Sequence, residues 1–231
     1  MHICPFSTAM VKNGSRIDKD GWTRVTIQGA PYERGFAHGA LLQGELDQVM
    51  RMLDFVVMQD YGISRNNAAE ILCGLYGQSF ERNYPEFLEE IKGITAGARS
   101  AGSKTITQDL VMFWNLYYTF GYVYPHIPEL LPRFPELQSK YAHLFPSGSK
   151  RHTGAGLEGG GGARDRCTAF MAVGSYTRDG KIVCAHNTFD NFIDAQYGSV
   201  MLEIRPNEGT AFIMQTAPGQ IASGTDYYVT D

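Results

Sequence analysis

Between residues 147 and 166 the chain has almost nothing with which to build a core, and that stretch divides everything else. Ser147-Gly148-Ser149-Lys150-Arg151-His152-Thr153-Gly154-Ala155-Gly156-Leu157-Glu158 runs into Gly159-Gly160-Gly161-Gly162-Ala163. A segment so poor in apolar residues cannot bury enough surface to offset its ordering entropy. Before it the apolar residues recur at helical spacing, and after it they read as strands. The junction is Arg164-Asp165-Arg166-Cys167-Thr168-Ala169-Phe170-Met171-Ala172-Val173, a cysteine at the start of a strand directly after a connector. Three segments follow: 1–146, mostly helical; 147–166, a propeptide-like linker; and 167–231, the start of a strand-rich part. Together they are expected to form one domain.

In the first segment Trp22-Thr23-Arg24-Val25-Thr26-Ile27-Gln28 alternates and predicts one strand. A helix is expected from about Tyr32 to Asp60, with Leu41, Leu42, Leu46, Val49, Met50, Leu53, Val56 and Val57 forming its apolar stripe. Asn66 or Asn67 is suited to cap a second helix. Pro85 opens a third, with Glu86, Glu89 and Glu90 read as surface carboxylates matching the helix dipole. Thr107 is expected to cap a fourth, from Gln108 to about Phe120, apolar nearly all round and therefore buried; Asn115 within it then needs a partner. Five prolines between Tyr124 and Pro146 interrupt regular structure.

After the linker, strands are predicted at about 168–176, 181–188, 199–205 and 210–216. Asp179-Gly180 and Pro206-Asn207-Glu208-Gly209 provide tight turns. Four such strands predict an antiparallel sheet covered by the preceding helices, an α+β fold.

The plain reading of Cys167 is a small buried apolar residue. The functional one is a nucleophile. If the chain were cut before Cys167, thiol and new α-amine would share one residue, and an amine of pKa about 8 accepts a thiol proton near neutral pH. Cys184, on the second strand, is expected in the core. With four cysteines in 231 residues and no Cys-x-x-Cys spacing, neither a disulfide scaffold nor a zinc site is supported, and no cofactor or metal is expected. A net charge of −4 argues against nucleic acid as the main partner. No apolar run reaches the ~20 residues that span a bilayer, and the first residues lack a signal peptide's basic flank and long apolar stretch.

From Cys167-Thr168-Ala169-Phe170-Met171-Ala172, through the turn Thr177-Arg178-Asp179-Gly180-Lys181, to His186-Asn187-Thr188-Phe189-Asp190, the chain resembles the N-terminal nucleophile (Ntn) hydrolases. Within them it is most similar to penicillin acyltransferase-like cysteine peptidases and phospholipase B-like proteins. Tyr32-Glu33-Arg34-Gly35 with His38-Gly39, Glu89-Glu90-Ile91-Lys92-Gly93-Ile94, and Gly219 through Tyr228 extend the resemblance over most of the chain. It implies an αββα sandwich and Cys167 as the nucleophile. It also implies self-cleavage between Arg166 and Cys167, His186 and Asn187 beside the nucleophile, and helix residues around His38 packed near the site. Asp190 would hold the α-amine as a cation. Asp226 and Tyr227 would contact substrate. The implied substrate is a small-molecule acyl amide, peptide or lipid ester, with Phe120-Gly121-Tyr122-Val123-Tyr124 suited to an apolar acyl chain.

The plain readings are a strand-end histidine for His186 and turn chemistry for Asn187 and Asp190. The run here is one residue longer before the acid than in the acyltransferases, and His186 replaces an arginine that some relatives carry. The relatives continue well beyond this length to supply a second sheet, so a fragment, one half of a divided enzyme, or a homo-oligomer is expected. Phospholipase B-like relatives are often secreted or lysosomal. Two other classes stay open: a non-catalytic binding domain on the same scaffold, and an ordinary cysteine protease with no maturation step.

Overall fold

Asn13, Asp20 and Gly21 all adopt left-handed backbone angles (φ 65°, 52° and 82°), and they fold the first residues into a meander. Strand β1 (Ser7–Val11) turns at Lys12-Asn13 into β2 (Gly14–Lys19), which turns at Asp20-Gly21 into β3 (Trp22–Gly29). Both connections are two-residue loops: Asp20-Gly21, with both residues left-handed, is a pair such hairpins favour, whereas in Lys12-Asn13 only Asn13 is left-handed. The sequence reading anticipated only β3, because β1 and β2 lack a clean apolar alternation. The computed structural model describes residues 7–146, 167–188, 192–224 and 228–230.

The sheet is completed from the other end of the chain. Strands β6 (Val200–Pro206), β7 (Phe212–Thr216) and β8 (Val229–Thr230) join in the order β1-β2-β3-β6-β7-β8. The β3–β6 pair is parallel, from Thr23 opposite Val200 to Gly29 opposite Pro206, and the other pairs are antiparallel. This corrects the expectation of four consecutive antiparallel strands after the linker. Strands β4 (Thr168–Gly174) and β5 (Gly180–Asn187) form a separate two-stranded sheet instead. The fold is α+β.

One face of the large sheet carries Val25, Ile27, Val200, Leu202, Ile204 and Met214 against Ala37, Leu41 and Leu42. These belong to helix α1 (Pro31–Leu41) and its terminus. The expected single helix from 32 to 60 is two. Leu42 leaves helical angles (φ −116°, ψ 22°); its N–H donates to the His38 carbonyl, and its own carbonyl accepts from Leu46, opening α2 (Gln43–Tyr61). The bend lets Leu41 and Leu42 reach the sheet while Leu46, Val49 and Leu53 turn into a second, larger core.

That core is built by α2, α3 (Arg65–Asn83), α4 (Pro85–Ser100), α5 (Gln108–Asn115) and α6 (Tyr117–Val123), followed by short helical turns to Leu144. Ser64, not Asn66 or Asn67, caps α3, accepting from the Asn67 N–H at 3.2 Å. Thr107 caps α5 as expected, through the Leu110 N–H at 3.2 Å. The apolar stretch expected to run on to Phe120 breaks at Leu116 (φ −111°, ψ 9°).

Helices α1 and α4 cross with almost no side chain between them. A Cβ built on Gly35 or Gly39 would collide with the carbonyls of Glu90 and Ile94; one on Gly93 or Gly97, with those of Tyr32 and Phe36. Two glycines four residues apart on each helix thus bring backbone against backbone, the arrangement in which Cα–H groups meet carbonyl oxygens. Beside the crossing Arg34 donates from Nε to Glu90 at 2.6 Å and from Nη2 to Glu86 at 2.9 Å. Glu90 is buried, which corrects its assignment to the surface. Burial pushes its carboxyl up from the ordinary range, and the Arg34 guanidinium opposes that shift. None of the described helices is long and apolar enough to cross a membrane.

Candidate active site

The β4–β5 hairpin positions the predicted nucleophile. The hairpin forms as expected, but its loop is residues 175–179: β4 ends at Gly174, before the expected Tyr176, and Gly180, at φ 75°, already pairs with Gly174, while the Asp179 carboxylate accepts from the Lys181 N–H at 3.3 Å. The register pairs Thr168 with Asn187 and Ala169 with His186. Opposite residues of an antiparallel pair share a face, and successive residues alternate. His186 and Ala169 therefore share one face. Continuing the alternation one residue outward puts Cys167 on that same face, opposite Thr188. Asn187 lies on the other face with Thr168, whose hydroxyl accepts from its Nδ2 at 3.4 Å. The hairpin thus brings Cys167, His186 and Asn187 to its open end but splits them between two faces. Cys167 is a free, exposed cysteine.

The histidine is tied locally. His186 Nδ1 lies 3.1 Å from Thr188 Oγ1, and the Thr188 hydroxyl donates to the Gly224 carbonyl at 3.5 Å. Gly224 ends a loop held from several sides. The Trp114 indole N–H donates to the Pro218 carbonyl at 2.8 Å. Asn115 donates to the Gly219 carbonyl and accepts from the Ile221 N–H, both at 2.8 Å. Asn115, half-buried, thus has the partners that its place in the helix demanded. His38, fully buried on α1, accepts from the Gly219 N–H through Nε2 at 2.9 Å. Burial pushes its pKa down to about 4, so the ring is neutral with its proton on Nδ1. That nitrogen finds no partner among the described residues. At the far end Thr216 donates to the Ala222 carbonyl at 2.7 Å, and the Gly224 N–H to Gln215 at 2.8 Å.

This latch went unseen in the sequence. Its signal was Pro218-Gly219 together with a polar asparagine in an otherwise apolar helix: Gly219 sits at φ 80°, where a side chain would also strike Leu46.

Cys184 corrects the expectation of a core residue, being exposed. Phe170, Met171, Val173, Ile182 and Val183 of the same hairpin are exposed as well. Cys73 is the inert thiol: it donates to the Asp109 carbonyl, and burial together with the Asp109 charge pushes its pKa up to about 12. The apolar stretch assigned to an acyl chain is largely consumed by packing, with Phe120 and Tyr124 stacked around Tyr61 in the core and Tyr122 exposed. A shallow cleft of about 380 Å³, lined by Phe170, Tyr176, Arg178 and Val183, sits at the turn end of the hairpin, away from Cys167. Arg166, Asp190, Asp226, Tyr227 and the 147–166 linker lie outside the described residues.

No protein-family model matches the chain. Over 202 residues, 84% of this chain, it is 24% identical to an uncharacterized protein of Archaeoglobus fulgidus, aligning with 29% of that protein. Over 84 residues, 36% of this chain, it is 32% identical to the acyl-coenzyme A:6-aminopenicillanic-acid-acyltransferase 40 kDa form of Emericella nidulans, aligning with 23% of it. The chain therefore spans less than a third of the length of either relative.

Proposed function

We propose that the chain belongs to a cysteine hydrolase or acyltransferase of the Ntn type, matured by cleavage between Arg166 and Cys167. The observation that carries this reading is the hairpin. Cys167 directly precedes β4 at the open end of the hairpin, where Ala169 pairs with His186, and extending the strand's alternation by one residue supports a shared face for Cys167 and His186. The partial similarity to an acyltransferase supports acyl transfer or hydrolysis as the class of reaction. On this reading residues 1–146 and 167–231 are two pieces of one domain, and 147–166 is the segment that precedes the cut.

The Cys167 thiol attacks the Arg166 carbonyl, the amide nitrogen takes up a proton and leaves, and the resulting thioester is opened by water. The products are the Arg166 carboxylate and a Cys167 with free thiol and α-amine. The same thiol then attacks the carbonyl of an external acyl amide or ester, its proton passing to the α-amine or to His186. Asn187 is proposed as a donor to developing negative charge, a role that requires its Nδ2 to leave Thr168 on the other face of the hairpin and whose removal costs about 3–4 kcal/mol in characterised sites. Asp190 is proposed beside the α-amine, and Asp226 and Tyr227 beside the substrate. An αββα sandwich is proposed for the whole protein; the sheet face turned away from α1 exposes Met10, Ile17 and Trp22 towards the β1 edge and carries an Arg24–Glu203–Arg205 charge cluster on its central strands.

Intact mass of the full chain, with and without Cys167→Ala, tests the reading. Two fragments meeting at Arg166/Cys167, lost in Cys167→Ala, support it. A single uncut mass in both proteins overturns maturation.

A further inference from the structure

A ring nitrogen that accepts a hydrogen bond cannot also take up a proton and keep its partner. His38 Nε2 accepts the Gly219 N–H at 2.9 Å, and the ring is fully buried. A proton on Nε2 would set two donors against each other across that distance. Nδ1–H, the ring's other donor, has no acceptor among the described residues with which to hold a cation. A buried imidazolium with neither nitrogen served is costly, and the strain is relieved if the loop leaves and water reaches the ring. We infer that His38 is an acid-sensitive latch: when its ring takes up a proton, the turn at 218–221 comes off its seat on α1 and α5 while the helical core stays folded.

The turn is built to move as a unit. Besides His38, its seat is Trp114, which donates to the Pro218 carbonyl, and Asn115, which holds the Gly219 carbonyl and the Ile221 N–H. Behind it the loop closes on itself, through the Thr216 hydroxyl on the Ala222 carbonyl and the Gly224 N–H on the Gln215 carbonyl. Beyond it β8 is held by two register pairs, Phe212 with Thr230 and Ile213 with Val229. A segment with so few ties opens at lower cost than the core beneath it. The charges on the elements around the ring are engaged elsewhere. Arg34 on α1 pairs with Glu86 and Glu90 of α4, Arg16 on β2 with Asp18 and with Glu45 of α2, and Arg24 on β3 with Glu203 of β6. Asp109 of α5 acts on Cys73, and residues 217–221 carry no charge. Burial alone lowers the His38 pKa, to about 4. With the loop off, the ring returns to its ordinary 6.5, so the open form binds the proton more tightly. The ratio of open to closed forms is therefore level above pH 6.5 and rises as pH falls towards 4, by about 20-fold between pH 7 and pH 5.

Amide hydrogen exchange of the full chain, followed by NMR, reads this opening even when the open form is rare, because protection reports the ratio of closed to open forms. After correction for the intrinsic pH dependence, protection of the Gly219 and Ile221 amides is expected to fall about 20-fold from pH 7 to pH 5. It should be indifferent to about 1 M urea, whereas Leu53 in the core of α2, exposed only by large-scale unfolding, should lose protection as urea is added. His38→Gln keeps an acceptor for the Gly219 N–H but does not titrate, so its protection should stay level across the same range. Asn115→Ser loosens the seat and leaves the ring in place; it should lower protection at both pH values and keep the 20-fold step. Protection unchanged with pH in wild type, an equal fall in His38→Gln, or a step lost in Asn115→Ser overturns the proposal. So does a urea dependence at Gly219 equal to that of Leu53, which would mean that the turn leaves only when the whole molecule unfolds.

Discussion

Replacing Gly39 by alanine should damage this protein far more than one methyl group ordinarily does. In a helix interior the change is favourable by about 1 kcal/mol, because alanine loses less chain entropy. At Gly39 the new Cβ would stand about 1 Å inside the closest approach real Cβ atoms show, against the Ile94 carbonyl, with the Ala98 nitrogen at 2.9 Å. Neither neighbour is a side chain that can swing aside. The helices must separate, and every close contact along the Gly35/Gly39–Gly93/Gly97 crossing loosens with them. Overpacking of this kind costs roughly 1–3 kcal/mol where side chains can yield and more where they cannot. With the helical gain subtracted, a net loss of about 3 kcal/mol is expected. At roughly 2–4 °C per kcal/mol for a chain of this size, Tm should fall by about 6–12 °C. Gly77→Ala, in mid-α3 with nothing within 4 Å of the added Cβ, is the internal control and should gain up to about 1 kcal/mol. Adding Gly97→Ala to Gly39→Ala should cost less than the two losses summed, because both force the same separation. Urea titrations of wild type, Gly39→Ala, Gly97→Ala, their double variant and Gly77→Ala measure the free energies, and thermal melts of the same five proteins measure Tm. A Gly39→Ala protein as stable as wild type would refute the close crossing and the reasoning built on it.

Three further outcomes follow from other buried groups. His38 titrates at about 4 in the folded chain against 6.5 unfolded. The unfolded state therefore binds more protons between those values, and stability is full above pH 6.5 and falls as pH drops towards 4. The loss reaches about 3 kcal/mol at about 1.36 kcal/mol per pH unit. Subtracting the pH–stability curve of His38→Gln from that of wild type should isolate this slope, and parallel curves would contradict it. Glu90→Gln removes the buried charge partner of the Arg34 guanidinium, leaving it only the more exposed Glu86, and should destabilise by about 3 kcal/mol in urea. Arg34→Met combined with Glu90→Leu should cost less than Glu90→Gln alone. Thiol labelling at pH 8 with peptide mapping should modify Cys167 and Cys184 in the native protein and Cys73 only after denaturation; rapid native labelling of Cys73 would contradict its burial.

What could be read from the sequence was what neighbours decide. Pro85 at the first turn of α4 and Thr107 over α5 each act within a few residues, and each formed as read; Asp179-Gly180 marked the hairpin, though its loop starts two residues earlier than expected, after Gly174. Asn13-Gly14 is just as local, yet β1 and β2 were missed because Ser7–Val11 and Gly14–Lys19 show no apolar rhythm to attach to the turn. Glu90 looked like a surface carboxylate because its partner Arg34 lies 56 residues away. The parallel seating of β3 beside β6 and the contact of His38 with Gly219, 181 residues apart, leave no local trace at all. At the site, alternation along β5 alone puts His186 and Asn187 on opposite faces; what the sequence does not show is the register, which decides which of the two lies on the face of Ala169.

The seating of β3 beside β6 also sets a timetable. Thr26 and Glu203 are 177 residues apart yet meet across neighbouring central strands. At synthesis rates of roughly 5–20 residues per second, β3 waits about 10–35 s on the ribosome before its neighbour exists. Throughout that interval Val25 and Ile27 flank an open edge, so the nascent chain is at its most adhesive before its last quarter emerges. The same seam works in reverse once the chain is complete. A cut anywhere in the 147–166 stretch would leave β3 on one piece and β6 on the other, and the two would part only by tearing the middle of the sheet.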